Sequence, residues 1–158
     1  VLDHAARGGA VMGICNGFQI LTETDMVPGV LIRNAGLKFA CRNVGLQVCE
    51  TLASPFTSGL VTNKKLIIPI AHNEGNYFAE PDELNQLEGD GQIAFRYTDS
   101  RTIGPANPNG SARDIAGVIS SNGRVLGMMP HPERAMSDLH GGTDGGYFLL
   151  KSLEALVS

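Results

Sequence analysis

Ala10-Val11-Met12-Gly13-Ile14-Cys15-Asn16-Gly17-Phe18-Gln19-Ile20-Leu21 reads as a buried strand, a sharp turn and a buried helix, with a cysteine at the turn. Ala10 to Ile14 is an apolar run of strand length, and Phe18, Ile20 and Leu21 open a second apolar segment beyond Gly17. Gly13 and Gly17 flank Cys15 as G-x-C-x-G, a pattern that nucleophile elbows use with serine. Small residues on both sides let strand and helix approach closely, and the nucleophile then stands proud of the sheet edge. Such a turn also places the Cys15 sulfur at a helix N-terminus, where unpaired N–H groups and the helix dipole favour an anion. Its pKa is therefore expected to be drawn below the ordinary cysteine value of ~8.5. A buried structural cysteine, packing as a small hydrophobe, fits the same residues.

Working outward, 158 residues suffice for one domain with a real core, and a single domain over residues 1–158 is expected. The composition, 42% hydrophobic and 18% charged, is that of an ordinary globular protein. A formal net charge of −4 leaves no basic footprint for nucleic acid or an anionic membrane surface. No apolar run approaches membrane-spanning length, and no basic-then-apolar leader opens the chain, so nothing argues for export; the odd cysteine count fits a reducing, cytoplasmic setting. The three cysteines (Cys15, Cys41, Cys49) contain no C-x-x-C, which speaks against a disulfide framework or a zinc site. No pair among His4, His72, His131 and His140 has metal-ligand spacing with a cysteine, so no metal is expected. Val1 to Arg7 reads as the last turns of a helix stopped by Gly8-Gly9. A helix end leading straight into a central strand implies further elements upstream.

Beyond the elbow, the helix is expected from about Gly17 to about Thr24, with a turn at Pro28-Gly29 and a short apolar piece at Val30 to Ile32. Leu37 to Glu50 alternates in two frames, with Leu37, Phe39 and Cys41 in one and Val44, Leu46 and Val48 in the other, as in a bulged strand or two short ones. Lys64 to Ile70 reads as a strand leading into a polar loop over 72–77, Pro81 to Leu87 as a short helix, and Gln92 to Tyr97 as a strand. Asn107-Pro108-Asn109-Gly110 is a strong turn signal. Ile115 to Ser120 and Val125 to Met129 flank Asn122-Gly123 as a hairpin. The Gly-rich run 141–146 reads as a mobile loop, with Asp138 and His140 beside it. A last helix, roughly Gly146 to Leu156, should turn Phe148, Leu149, Leu153 and Leu156 to the core.

Among the histidines, only His131 follows a buried strand and lies in a stiff turn, Pro130-His131-Pro132-Glu133-Arg134. Prolines bias this piece toward extended geometry, in which residues 131 and 133 point the same way. Glu133 would then accept from one imidazole nitrogen and leave the other free as a base, completing a nucleophile–base–orienter set with Cys15. A loop histidine paired with a loop glutamate fits as well. Both motifs, however, end a buried strand, and that edge is where sites form in open α/β sheets.

Together, Gly13-Ile14-Cys15-Asn16-Gly17-Phe18-Gln19 and Pro130-His131-Pro132-Glu133-Arg134 resemble the class I (triad) glutamine amidotransferase domains. Three further stretches narrow the resemblance: Arg33-Asn34-Ala35-Gly36-Leu37-Lys38-Phe39, Ala71-His72-Asn73-Glu74-Gly75-Asn76-Tyr77 and Asn107-Pro108-Asn109-Gly110-Ser111. They look like the glutaminase subunits of phosphoribosylformylglycinamidine synthases in de novo purine biosynthesis. The resemblance implies an α/β fold in three layers, a mostly parallel open sheet of flavodoxin-like type with helices on both faces and its N-terminal strands missing.

It implies further that Cys15 attacks the carboxamide of L-glutamine to form a thioester, that His131 relays protons, and that Glu133 orients His131. The Asn16 N–H would donate to the oxyanion, Gln19 would shape the glutamine pocket, and His72 and Glu74 would lie near the site or the partner interface. Asn73 stands where the family pattern has Gly, and since Asn tolerates left-handed backbone the loop should keep its shape. No cofactor is implied on this chain: ATP and magnesium would belong to a large synthetase subunit, joined by a small accessory subunit. The run 141–146 lacks the Lys-Ser/Thr of a phosphate-binding loop. A cysteine peptidase or other α/β hydrolase with an elbow cysteine, or an inactive binding fragment, are the competing readings.

Overall fold

The computed structural model describes residues 1–99 and 104–158. Its first element is the short helix α1 (Leu2–Ala6), which buries none of its residues and ends at Gly8, with φ +80°. β1 (Val11–Ile14) then leads directly into α2 (Asn16–Glu23), whose apolar residues Phe18 and Leu21 are buried. β2 (Val30–Ile32) is short, and β3 (Ala40–Val48) and β4 (Lys65–His72) are long. β5 (Asn76–Phe78) and α3 (Pro81–Gly89) follow, α3 starting on a proline with Asp82 and Glu83 in its first turn, where a helix favours negative charge. β6 (Ile93–Thr98), β7 (Ile115–Ile119), β8 (Val125–Met128) and α4 (Asp144–Val157) complete the chain.

The main sheet has the order β1-β8-β7-β6-β3-β4, and β2 pairs with β5 in a separate ribbon. The α/β layering holds: α2 and α3 cover one face around Phe18, Leu21, Leu84, Leu87 and Val118, and Phe148 of α4 joins the other around Leu46, Ile68, Phe95 and Leu126. Phe95 and Phe148 meet edge-to-face with centroids 5.3 Å apart.

The pairing is mixed and not mostly parallel. β1 and β8 run parallel, whereas β8–β7, β7–β6, β6–β3 and β3–β4 are antiparallel. The reason is local: β7 and β8 are joined by the Asn122-Gly123 turn, and no helix separates β3 from β4, so neither pair has the crossover that parallel strands need. The pairing nonetheless leaves β1, β8 and β4 running in one direction, with their carboxyl ends at one edge.

Three other expectations change. β3 pairs with β4 in unbroken register from Ala40 to Gln47, so the frame shift is not a bulge. Leu37 and Phe39 lie ahead of the strand and are exposed, as is Cys41, and only Val44, Leu46 and Val48 form the core set. The register irregularity lies instead in β6, between Ile93 and Arg96. In α4 the buried stripe is Gly145, Phe148 and Ser152, while Leu153 and Leu156 are exposed. Leu153 sits about 100° further round the helix than Ser152, whereas Leu156 lies nearer the buried stripe but in the last turn of the helix. Finally, α4 starts earlier than the Gly-rich run suggests, so Asp144 and Gly145 are not loop but its first turn. A Cβ on Gly145 would lie 2.0 Å from the Pro132 carbonyl oxygen, so glycine is what lets α4 seat against the His131 turn. Asp144 fastens the same end by accepting from Ile67 N–H of the edge strand β4 (2.7 Å). No helix among the described residues is long and apolar enough to cross a membrane.

Candidate active site

Cys15 is the N-cap of α2, with φ 53° and ψ −107°. A non-glycine residue in that region is strained by roughly 1–3 kcal/mol, and such strain persists only where the surroundings over-determine it. Here the ladder does so from one side, because Cys15 N–H donates to Met128 O (2.9 Å) and extends the β1–β8 pairing to the nucleophile. From the other side, Gly13 lets α2 close over the strand: a Cβ there would meet Leu21 Cδ1 at 2.5 Å and the Gly17 backbone at 2.7 Å. Gly17 is different, since a Cβ on it would meet nothing within 4 Å. Close approach therefore explains the first glycine of the motif and not the second.

The thiol is not drawn down. Burial pushes the Cys15 pKa up, and that effect outweighs the Asn16 N–H and the Arg134 guanidinium, which favour the thiolate, while Glu133 disfavours it. The resting group is the thiol, with its S–H directed at Ala71 O (3.8 Å). A base is then required to unmask the nucleophile.

An imidazole stands in the same cleft. His131 stands just beyond the end of β8, is 7% exposed, and is tied to β4 by its backbone N–H donating to Pro69 O (2.8 Å). Its Nδ1–H donates to Glu133 Oε1 at 2.6 Å. The sequence places this pair correctly for the wrong reason: Pro132–Arg134 is a 3₁₀ turn and not extended chain. The turn wraps the carboxylate back onto the imidazole. His131 Nε2 is left buried with no hydrogen-bond partner, lone pair free. Cys15 and His131 line one cleft of about 490 Å³, together with Asn16, Gln19, Phe39, His72, Glu74 and Arg134. A second cleft of about 350 Å³, between Asp25–Gly29, α3 and the β7–β8 turn, holds no cysteine or histidine. In the first cleft the thiol must leave Ala71 O to reach His131 Nε2. Catalytic hydrogen bonds that tighten only around substrate are common in unliganded sites.

The other expected residues gather at the same mouth. Asn16 is exposed at the first position of α2. The Gln19 side chain donates to Glu74 O (3.0 Å), pinning the loop after β4 to α2. Glu74 is exposed, whereas His72 is buried, and burial together with the nearby charge of His131 pushes its pKa down to about 4. Asp138 and His140 lie apart in the 3₁₀ turn Asp138–His140, where Ser137 Oγ and His140 Nδ1 pair at 2.9 Å. Asn73 does not adopt left-handed backbone: the residue's own carbonyl takes the N–H of Asn34 (2.9 Å), and the loop needs no glycine there.

What the residue patterns do not reveal is how this loop is held. Asn34 Nδ2 donates to Lys38 O (2.8 Å) and His72 O (3.0 Å), and its Oδ1 accepts from Gly75 N–H (3.1 Å) and faces His72 Nδ1 (3.1 Å). Asn109 Nδ2 donates to Gly75 O (2.6 Å), and Ser111 Oγ accepts from Tyr77 N–H (3.0 Å). The stretches around Asn34 and Asn109 thus form the cradle of the 72–77 loop. Their turn residues are visible in the sequence, but their side-chain partners, 34 to 41 residues away, are not. Nor does any spacing mark Arg134 as a residue that favours the Cys15 thiolate.

Comparison with known proteins agrees with this geometry. Residues 2–142 match the model of the CobB/CobQ-like glutamine amidotransferase domain. The phosphoribosylformylglycinamidine synthase subunit PurQ of Roseobacter denitrificans is 57% identical over 145 residues, covering 92% of this chain and 62% of that protein. The PurQ of Zymomonas mobilis is 53% identical over the whole chain, which spans 67% of it. Among solved structures, PurLQS from Thermotoga maritima superposes with a TM-score of 0.82 at 39% identity, over 98% of this chain and 66% of that one. A putative GMP synthase component from Thermoplasma acidophilum, 14% identical with a TM-score of 0.53 over 92% of this chain and 58% of that one, shares the fold. The chain thus spans a little over three-fifths of the first of these PurQ relatives, with the cysteine elbow and the His131–Glu133 turn both inside the matched region. With a strained Cys15 elbow facing a carboxylate-held His131, and that match across most of its length, the chain belongs to the CobB/CobQ-like glutamine amidotransferase family.

Proposed function

We propose that residues 1–158 form one glutaminase domain that hydrolyses L-glutamine to glutamate and ammonia. In this reading the ammonia passes to a synthetase that converts formylglycinamide ribonucleotide to formylglycinamidine ribonucleotide. The observation that carries it is the cleft in which the Cys15 thiol and the free Nε2 of His131 stand together, with Glu133 2.6 Å from the far nitrogen.

His131 Nε2 takes the thiol proton as sulfur attacks the carboxamide carbon. Glu133 stabilises the imidazolium, and Arg134 favours the emerging thiolate. The Asn16 N–H, on the residue after the nucleophile, donates to the oxyanion, a role typically worth ~10²–10³ in rate. His131 returns the proton to the departing ammonia, leaving a glutamyl thioester, and then takes one from the water that hydrolyses it. Gln19 and Glu74, bound to each other at the mouth, shape the pocket.

The purine-pathway assignment rests on relatives described as PurQ and on the PurLQS neighbour. It gives the chain a large synthetase partner and a small accessory subunit, with ATP and magnesium on the synthetase side, and a cytoplasmic setting. The test is glutamine turnover by the full-length protein, alone and with its synthetase. The expected result is slow glutamate release alone and at least a several-fold increase with the partner, lost in Cys15→Ser. Peptide cleavage without glutamine turnover would place the chemistry with the cysteine peptidases.

A further inference from the structure

Two imidazoles meet at the catalytic cleft, and the fold gives their Nδ1 atoms different partners. His131 Nδ1 is bound to a carboxylate, at 2.6 Å from Glu133 Oε1. His72 Nδ1 is bound to an amide, at 3.1 Å from Asn34 Oδ1. The orientation of that amide is set by its other contacts. Asn34 Nδ2 faces two carbonyl oxygens, Lys38 O and His72 O, and Oδ1 faces the Gly75 N–H. A flipped amide would set oxygen against oxygen and N–H against N–H. Oδ1 can only accept, so His72 Nδ1 carries the proton and Nε2 in the neutral ring does not. That Nε2 is buried with no partner, as is the Nε2 of His131. The ring lies against Gly75 and fills the space where a Cβ there would stand, 2.4 Å from two of its atoms.

The contrast is chemical. A carboxylate on Nδ1 stabilises imidazolium, whereas an amide oxygen orients the ring without adding charge. We propose that Asn34 is a positioning residue that locks His72 as the neutral, Nδ1-protonated imidazole, so that positive charge generated in the cleft resides on His131 alone. The catalytic consequence rests on the glutaminase reading: a cation at His72 would oppose formation of the His131 imidazolium when Cys15 gives up its proton. The charged and titratable groups around His72 are His131 and Arg134 from the turn after β8, with Glu133 behind His131, Cys15 from the elbow and Glu74 from its own loop. Lys38 enters through its carbonyl on Asn34, and Tyr97 of β6 lies beyond Asn109, accepting from its Nδ2. Of these, His131 is the charge that bears on His72, and it acts in the same direction as burial.

The test uses the full-length protein and three readouts: imidazole ¹⁵N NMR of His72, the pH profile of Cys15 alkylation by iodoacetamide, and glutamine turnover. In the wild type, His72 should show a protonated Nδ1 and a bare Nε2, and stay neutral well below pH 6. Asn34→Asp places an anion on Nδ1. It should raise the His72 midpoint and, because a cation beside Cys15 favours its thiolate, shift the acid limb of alkylation downward by about one pH unit, a roughly tenfold faster rate at pH 6. Asn34→Asp with His72→Gln, which cannot protonate, should return the limb to its wild-type position. An Nε2-protonated His72 in the wild type would overturn the proposal whether or not the variants fold. So would an Asn34→Asp enzyme that is slower by the same factor at every pH, which is what a merely structural residue predicts. Alkylation and NMR need no glutamine, so expected results there with no glutamine turnover would uphold the Asn34 assignment and sink the glutaminase reading.

Discussion

Gly13 and Gly17 occupy symmetrical places around Cys15, yet their replacement by alanine should act in opposite directions. The Cβ of Gly13→Ala would lie 2.5 Å from Leu21 Cδ1 and 2.7 Å from the Gly17 carbonyl carbon and oxygen. Carbon atoms in contact prefer roughly 3.5–4 Å, so about 1 Å must be found. Leu21 can turn aside, but the Gly17 backbone cannot move unless α2 lifts from β1. Overpacking of this kind costs about 1–3 kcal/mol. With a urea slope of about 2 kcal/mol/M for a small domain, the unfolding midpoint should fall by roughly 0.5–1.5 M. Lifting α2 also moves the N–H of Asn16 away from the sulfur, so Cys15 alkylation should slow.

Gly17→Ala meets nothing within 4 Å and replaces glycine within a helix. It should stabilise by about 0.5–1 kcal/mol and raise the midpoint by a few tenths of a molar. Urea denaturation of both variants, followed by tyrosine fluorescence, reads the two signs directly. A Gly13→Ala protein with the wild-type midpoint, or two variants shifted equally in one direction, would refute the close-packed elbow.

Further outcomes follow from the same contacts. Glu133→Gln removes the charge from a 2.6 Å bond but leaves a side-chain acceptor, and the Glu133 side chain is 45% exposed, so water softens the loss. Glutamine turnover should drop by about 10- to 100-fold, about 1.4–2.8 kcal/mol of transition-state stabilisation, with an unchanged unfolding midpoint. His72, held down to about 4, binds its proton less readily when folded than its ordinary value of about 6.5 implies. The stability it contributes is complete above pH 6.5 and is lost as pH falls through 4, so wild type should lose about 2–3 kcal/mol more than His72→Gln between pH 7.5 and 4.5 in urea titrations. Asp144→Ala frees the Ile67 N–H and the start of α4, and should cost about 1–2 kcal/mol by the same assay while Cys15 alkylation stays within twofold.

What the residues disclosed in advance was whatever depends on near neighbours. Gly13-Ile14-Cys15 sits where an apolar run stops, and Pro130-His131-Pro132-Glu133 spans a single turn, so the cysteine elbow, the His131–Glu133 pair and their strand-end positions were legible. The Asn122-Gly123 hairpin and α3 were legible for the same reason. What escaped depends on the assembled fold. The protonation of Cys15 turns on burial beneath Ala71, which no spacing reveals, and local logic pointed the other way. Antiparallel pairing of β3 with β4 follows from the absence of a helix between them, yet the resemblance suggested a mostly parallel sheet. The stripe of α4 that meets the sheet begins with Gly145 and ends with Ser152, two residues a hydrophobic pattern passes over in favour of Leu153 and Leu156. Asn34 and Asn109 read as turn formers. Their burial and reach to Gly75 and His72 make them the frame of the site.

The central claim is that Cys15 is a nucleophile served by His131 and set to read glutamine. It is tested most directly by the intact mass of the full-length protein after exposure to a diazo-ketone analogue of glutamine, with Cys15→Ser in parallel. The account predicts one covalent adduct, mapped to the peptide carrying Cys15, prevented by excess glutamine and absent from the variant. No adduct on wild type with its synthetase present, or an adduct that persists in Cys15→Ser, would contradict it.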